Sequence, residues 1–284
     1  MAEPIFIGGC GRSGTTLFVD LLGCHPEIAP LYEPWFVCNV AELIFLRRDL
    51  APDTRLRMIR DGVADWMRQV EARPHEKKAH ERYRHGPHCI RFGRDLALAE
   101  TDRLCQRLAG EHPVPVFRDY IDALFRAHAG AMGKPRWAAK VPRFVRMLPL
   151  LVGLYPDLRF VNLDRDPRRV VPSLVSRGWG PRSVDEAIAY WRGDVEAARA
   201  FAADRPSQLL DISYEALVSD PATTLSAACR WLGIEDAAAS IVAGYAGAPG
   251  FHTERLGVAN DPGDYADGSI VRALQPLMKA YRYA

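Results

Sequence analysis

The chain opens on an apolar run that does not alternate, Pro4-Ile5-Phe6-Ile7, the pattern of a short strand buried on both faces of a parallel sheet. Glycines follow at once, and residues 15–24 (TTLFVDLLGC) then predict a helix that stops near His25-Pro26. From residue 38 to about 131, apolar positions recur at three- and four-residue spacing, most clearly over 56–70 and 116–128, so this stretch predicts helices. Residues 73–94 break the pattern with seven Lys/Arg, two Glu and four of the eight histidines, and predict a loop or lid. Strand signals return at Trp137-Ala138-Ala139, at 158–163 (LRFVNL) and at Leu209-Leu210, each followed by a helical pattern. Strands alternating with helices imply right-handed crossovers and a mostly parallel sheet covered on both faces. There is no internal repeat, low-complexity tract or linker. The expectation is one α/β domain over 1–284, three-layered, with a helical insertion (about 38–131) between its first and second strands.

Composition adds limits. With 48% hydrophobic and 25% charged residues the chain is an ordinary globular one, which excludes disordered, collagenous and disulfide-scaffold classes. The six cysteines, at 10, 24, 38, 89, 105 and 229, form no C-x-x-C pair, so neither a zinc knuckle nor a redox motif is indicated. Free thiols suit a reducing compartment. The N-terminus lacks a basic and then apolar leader, and no stretch approaches the ~20 apolar residues that span a bilayer. A soluble, cytoplasmic protein with no membrane span is expected.

The net charge of +2, from 37 Lys/Arg against 35 Asp/Glu, hides a segregation. Residues 134–182 carry eleven Lys/Arg and three Asp/Glu, whereas 183–284 carry eight and fourteen. Such a local excess suits a small polyanion held at one site rather than nucleic acid.

The chemistry centres on Gly8-Gly9-Cys10-Gly11-Arg12-Ser13-Gly14-Thr15-Thr16-Leu17, between the first strand and the first helix. Glycines let the backbone turn so that its N–H groups converge on an anion, and the helix adds its partly positive N-terminus. The run nearly matches the nucleotide loop G-x-x-x-x-G-K-[ST] from Gly9 to Gly14, but Thr15 stands at the lysine position. That departure argues against phosphoryl transfer from ATP and leaves a phosphate cradle intact. Downstream, Arg165-Asp166-Pro167 follows LRFVNL. Asp166 can cap a helix and Pro167 suits its first turn. Ser173, about two turns on, returns to the face of Asp166, near an anion gathered by Arg165. Lys140 ends the strand at 137–139, where ligands bind in α/β sheets. His75, His80, His85 and His88 lack the spacing of a metal set, and a solvated basic loop is the expected reading.

Together these segments resemble the sulfotransferases that use 3′-phosphoadenylyl sulfate (PAPS), most nearly the branch of the protein-tyrosine sulfotransferases and their soluble bacterial relatives. The resemblance runs from about residue 5 to 233 and is poor in the central insertion and the tail. It implies a P-loop-type fold, no metal, and a 5′-phosphosulfate loop made by Gly11, Arg12, Ser13, Gly14, Thr15 and Thr16. Arg165 and Ser173 would hold the 3′-phosphate. Lys140 and Arg12 would neutralise charge on the phosphosulfate, and Glu33, in Leu31-Tyr32-Glu33-Pro34-Trp35, would be the general base. A purely structural Glu33 that holds Arg12 is the alternative. Tyr214, in Ser213-Tyr214-Glu215-Ala216-Leu217, would meet the nucleotide or belong to the core. The tail at Glu254-Arg255 lacks the expected Ser-Thr-Asp run, so no site residue is assigned there. The implied reaction is sulfuryl transfer to a small-molecule, glycan or peptide hydroxyl. Two rivals remain: a P-loop kinase with Asp164 as its magnesium ligand, and a non-catalytic nucleotide-binding module.

Overall fold

A computed structural model of the chain describes residues 4–76, 90–178, 180–246, 256, 268–281 and 283. Five parallel strands form one sheet in the order β2-β3-β1-β4-β5. They are β1 (Ile5–Gly9), β2 (Ile28–Tyr32), β3 (Arg136–Lys140), β4 (Arg159–Asp164) and β5 (Leu209–Ser213). β1 is central because every one of its residues is buried, as its unbroken apolar run demands.

Helices cover both faces. Ile5 and Ile7 point into a core built with α1 (Thr15–Gly23) and the helices after β5. Phe6 points the other way, into a larger core shared with the helical region that follows β2. In that core Phe6 meets Trp137 and Phe144 edge-on at centroid separations of 5.4 and 5.3 Å. The helices on this side are α2 (Trp35–Ala41), a π-helical turn (Glu42–Leu46), α3 (Pro52–Glu76), α4 (Arg94–Arg107), α5 (Pro113–Ala131) and α6 (Leu148–Leu154). No helix among the described residues is long and apolar enough to cross a membrane.

Two boundaries differ from the sequence expectation. Ile28–Tyr32 is a strand, so the helical insertion follows the second strand of the sheet rather than the first. Its sequence, IAPLY, carries a proline, which argues against a central strand. Proline is tolerated here because β2 lies at the sheet edge, paired among the described residues only to β3. The other difference is that α3 continues through Glu76, beyond the expected loop start at Arg73. Residues 77–89 of that basic segment lie outside the described residues, and with them His80, His85 and His88, while Arg94 at its end already opens α4.

One lysine fastens the first crossover. Lys134 donates from Nζ to the carbonyl oxygens of Gly23, His25 and Ile28 at 2.7, 2.9 and 2.8 Å, gathering the end of α1 and the start of β2. A cation is the right group for the negative end of a helix. Charged hydrogen bonds of this kind are worth roughly 1.5–3 kcal/mol. Lys134→Met, which keeps the aliphatic stem, is expected to destabilise the fold by about 2 kcal/mol, read as a lower urea midpoint at unchanged m-value. An unchanged midpoint would refute this role.

Candidate active site

Strand order reverses at β1, with β2 and β3 on one side and β4 and β5 on the other. Ligands bind in α/β sheets outside the carboxyl ends of the strands at such a point. The loop at residues 10–14 starts there. Gly9 has φ 124° and lies so close to β4 that a Cβ would overlap the Leu163 carbonyl oxygen. Gly14 has φ 88°, and its missing Cβ leaves room for the Tyr214 ring. Between them the Ser13 N–H donates to the Cys10 carbonyl at 3.1 Å and closes the turn. Gly14 is the N-cap of α1 and brings no capping side chain. The first intrahelical bond is made by the Phe18 N–H to the Gly14 carbonyl at 3.0 Å, so the N–H groups of the first turn stand at the ligand end.

Two non-glycine residues among those described have positive φ, Arg12 at 73° and Glu33 at 50°. Left-handed backbone costs an L-residue of this kind roughly 1 kcal/mol or more and persists only where surrounding structure imposes it. For Glu33 the imposing bonds are visible. Its N–H donates to the Lys140 carbonyl at 2.8 Å, and its carbonyl accepts from the Trp35 N–H at 2.7 Å. Both strained positions are residues that the sequence marks for chemistry.

Lys140 and Glu33 meet side chain to side chain. Lys140 Nζ donates to Glu33 Oε1 at 2.7 Å and to Thr16 Oγ1 at 3.1 Å. The ammonium side chain is 1% exposed and the carboxylate 37%, so a buried cation faces a carboxylate open to solvent on one flank. The Trp35 indole N–H reaches Glu33 Oε2 at 3.4 Å. Parallel pairing of β3 beside β1 sets this constellation, because register places Lys140 level with Ile7, just below the loop.

A second group lies across the loop. Arg12 Nε donates to Ser173 Oγ at 3.0 Å, and Arg165 Nη1 donates to the Arg12 carbonyl at 3.1 Å. The Arg165 guanidinium lies over the Tyr214 ring, 4.0 Å from its centroid. Tyr214 is itself buried, so it acts as a floor beneath Arg165 and a wall against Gly14. The helix α7 (Pro167–Val175) starts as its sequence predicts: the Asp166 carboxylate accepts from the Arg168 N–H at 2.8 Å, and Pro167 occupies the first turn. Glu215 Oε1 accepts from the Asp166 N–H at 3.2 Å and ties this turn to the end of β5.

The structure thus brings Arg12, Ser13, Gly14, Thr15, Thr16, Glu33, Lys140, Arg165, Ser173 and Tyr214 to one end of the sheet, with Gly11 inside the loop. Glu33 lies against Lys140. Asp164, the magnesium ligand of the kinase alternative, accepts from the Arg165 N–H at 2.9 Å, and burial pushes its pKa up. Both features suit a turn-forming carboxyl better than an open metal ligand. Trp35 and Glu215 had no role from sequence. Adjacency to Glu33 and Tyr214 was the one available signal, since their contacts depend on the closed fold. Glu254 and Arg255 lie outside the described residues.

The sulfotransferase family model matches residues 4–238, which include every element of this site. The chain belongs to the sulfotransferase family. Among relatives, it is similar to the nodulation protein NoeE of Sinorhizobium fredii, 28% identical over 181 residues, which are 64% of this chain and 33% of that protein. The protein-tyrosine sulfotransferase of Drosophila melanogaster is 21% identical over 236 residues, 81% of this chain and 38% of that protein. The chain therefore spans about a third of one relative and 38% of the other. Among solved structures, the sulfotransferase domain of the Synechococcus PCC 7002 olefin synthase superposes over all of this chain and 90% of that domain, with a TM-score of 0.54 at 18% identity. That likeness carries the fold, a P-loop-type α/β sulfotransferase architecture.

Proposed function

We propose that this sulfotransferase moves the sulfuryl group of PAPS to an acceptor hydroxyl and releases adenosine 3′,5′-bisphosphate. The observation that carries the reading is the Lys140–Glu33 pair beside Thr16, with a phosphate cradle on one side and an open carboxylate flank on the other. A sulfuryl donor fits the cradle. Ser13 Oγ is buried without a hydrogen-bond partner, and the uncapped first turn of α1 offers N–H groups to an anion.

In this reading Glu33 takes the proton of the acceptor oxygen as that oxygen bonds to sulfur, since a neutral alcohol or phenol is a weak nucleophile. Lys140, Arg12 and the loop N–H groups stabilise the charge that collects on the leaving 5′-phosphate oxygen as the S–O bond breaks. Arg165 and Ser173 bind the 3′-phosphate. Cationic side chains and amides supply here the neutralisation that magnesium supplies in kinases. The acceptor is a hydroxyl of a small molecule, glycan or peptide.

Calorimetric titration tests the donor. Adenosine 3′,5′-bisphosphate is expected to bind more tightly than ATP with Mg²⁺. Arg165→Ala is expected to weaken the bisphosphate by about 10- to 100-fold, the loss of one charged hydrogen-bonding group. Tighter binding of ATP, or an Arg165→Ala variant that keeps wild-type affinity, would overturn the assignment.

A further inference from the structure

One side of α2 borders Glu33 and takes no part in the donor site. Phe36, Val37 and Val40 turn into the core, whereas Trp35, Asn39 and Glu42, spaced four and three residues apart, share the outward side. Both ends of this stripe are tied to the segments that carry the Lys140–Glu33 pair. At one end the half-buried Trp35 directs its indole N–H at Glu33 Oε2. At the other, Glu42 Oε2 accepts from Arg143 Nη2 at 3.2 Å, and Arg143 stands three residues after Lys140, in the 3-10 turn Pro142–Met147. The Glu42 and Arg143 side chains are 38% and 46% exposed, so a ligand can reach this pair, and Asn39 between the two ends is exposed as well. Trp35 and Glu42 are separated by about 10 Å along the helix axis.

We propose that Trp35, Asn39, Glu42 and Arg143 form the acceptor subsite and that the acceptor is an uncharged carbohydrate. This rests on sulfuryl transfer from PAPS with Glu33 as the base. The stripe offers a flat apolar ring beside the base and then a carboxamide, a carboxylate and a guanidinium, groups that donate and groups that accept. A sugar has the matching character: a C–H face that packs on an aromatic ring, and hydroxyls at its edge that both donate and accept. An acidic peptide matches poorly, because the Arg143 charge is already met by Glu42 and the base is itself a carboxylate. A plain phenol would use the indole and leave Asn39 and the ion pair unused. With the sugar ring on Trp35, the reacting hydroxyl lies at Glu33 and the further hydroxyls reach Asn39 and the Glu42–Arg143 pair. The acceptor O–S bond forms as the bond from sulfur to the 5′-phosphate oxygen breaks. The hydroxyl proton passes to Glu33, and adenosine 3′,5′-bisphosphate leaves with the electron pair of the broken bond.

Three classes of acceptor test this, with release of the bisphosphate from PAPS as the readout: methyl glycosides of neutral mono- and disaccharides, a tyrosine peptide rich in Asp and Glu, and a naphthol. The glycosides are expected to sustain turnover with the highest kcat/KM. Asn39→Ala and Glu42→Ala, which alter no core residue, are expected to raise the glycoside KM about five- to tenfold, the loss of one hydrogen-bonding group each, with kcat within about twofold of wild type. Trp35→Ala is expected to raise KM more than about tenfold, and Trp35→Phe, which keeps an aromatic face, to recover most of that loss. Calorimetric affinity for the bisphosphate should be unchanged in Asn39→Ala and Glu42→Ala. A higher kcat/KM for the peptide or the naphthol than for every glycoside would overturn the carbohydrate assignment, as would silence of all three classes in a protein that binds the bisphosphate. Glycoside KM values that stay at wild type in both Asn39→Ala and Glu42→Ala would overturn the subsite. Failure of the wild-type protein to bind the bisphosphate would instead bring down the sulfuryl-transfer reading beneath it.

Discussion

Lys140→Ala is expected to lower the turnover number for sulfuryl transfer by about two to three orders of magnitude, the usual loss when one preorganised stabiliser of a developing oxyanion is removed. The same change is expected to weaken adenosine 3′,5′-bisphosphate by less than about tenfold, because Arg165, Ser173 and the loop amides remain. Fold stability should suffer little. The lysine is the buried member of its ion pair at 1% exposure, while Glu33 at 37% can be solvated when its partner is gone. Release of the bisphosphate from PAPS, followed with a hydroxyl acceptor that supports turnover, gives the rate, and calorimetry gives the affinity. Lys140→Arg is no substitute, since a planar fork cannot occupy the space of a compact ammonium between Glu33 Oε1 and Thr16 Oγ1. A rate within about threefold of wild type in Lys140→Ala would remove the lysine from the mechanism.

The divided placement of charge explains why Lys140 is held so firmly. Its ammonium has three protons, and two go to Glu33 and Thr16. In the proposed reaction the remaining donor would serve an oxygen of the leaving group. The lysine is thereby directed by residues from two different crossovers, the first turn of α1 and the turn after β2. A group fixed from both sides needs no reorganisation as charge develops, which is the condition for a large electrostatic effect.

How far the sequence reveals this site follows from the range of the forces involved. β1, the loop and α1 are legible because each depends on local rules: an unbroken apolar run, glycines where side chains cannot fit, and an end near His25-Pro26. The start of α7 is legible for the same reason, in Asp166 and Pro167. β2 escapes because its proline obeys an edge-strand rule that only the completed sheet reveals. The Lys140–Glu33 contact joins residues 107 apart, and only parallel register brings them level.

Glu33→Gln, the second large effect, is expected to reduce turnover by about 10²- to 10³-fold, within the range that a positioned general base contributes. The amide keeps the shape of the side chain and can still accept from Lys140 through its carbonyl oxygen. It cannot take a proton from the acceptor. Nucleotide affinity should therefore stay within about threefold of wild type, since in the proposed reaction Glu33 serves the acceptor and not the nucleotide. The two substitutions of this pair differ in their effect on the fold. Loss of the carboxylate leaves an almost fully buried ammonium without its anion, and a group left in that state costs more than the exposed partner does. Glu33→Ala, which also removes the acceptor atom, is expected to destabilise the protein by about 2 kcal/mol more than Lys140→Ala. None of that cost is offset at position 33 itself, because the backbone there is left-handed at φ 50° and alanine holds that conformation no better than glutamate. Glu33→Gly relieves this strain, so Glu33→Gly is expected to be more stable than Glu33→Ala while equally slow. Thermal denaturation of the three variants with a common turnover assay separates the two roles of Glu33. Full activity in Glu33→Gln would leave it a strut for Lys140, and the proton of the acceptor would have to go elsewhere.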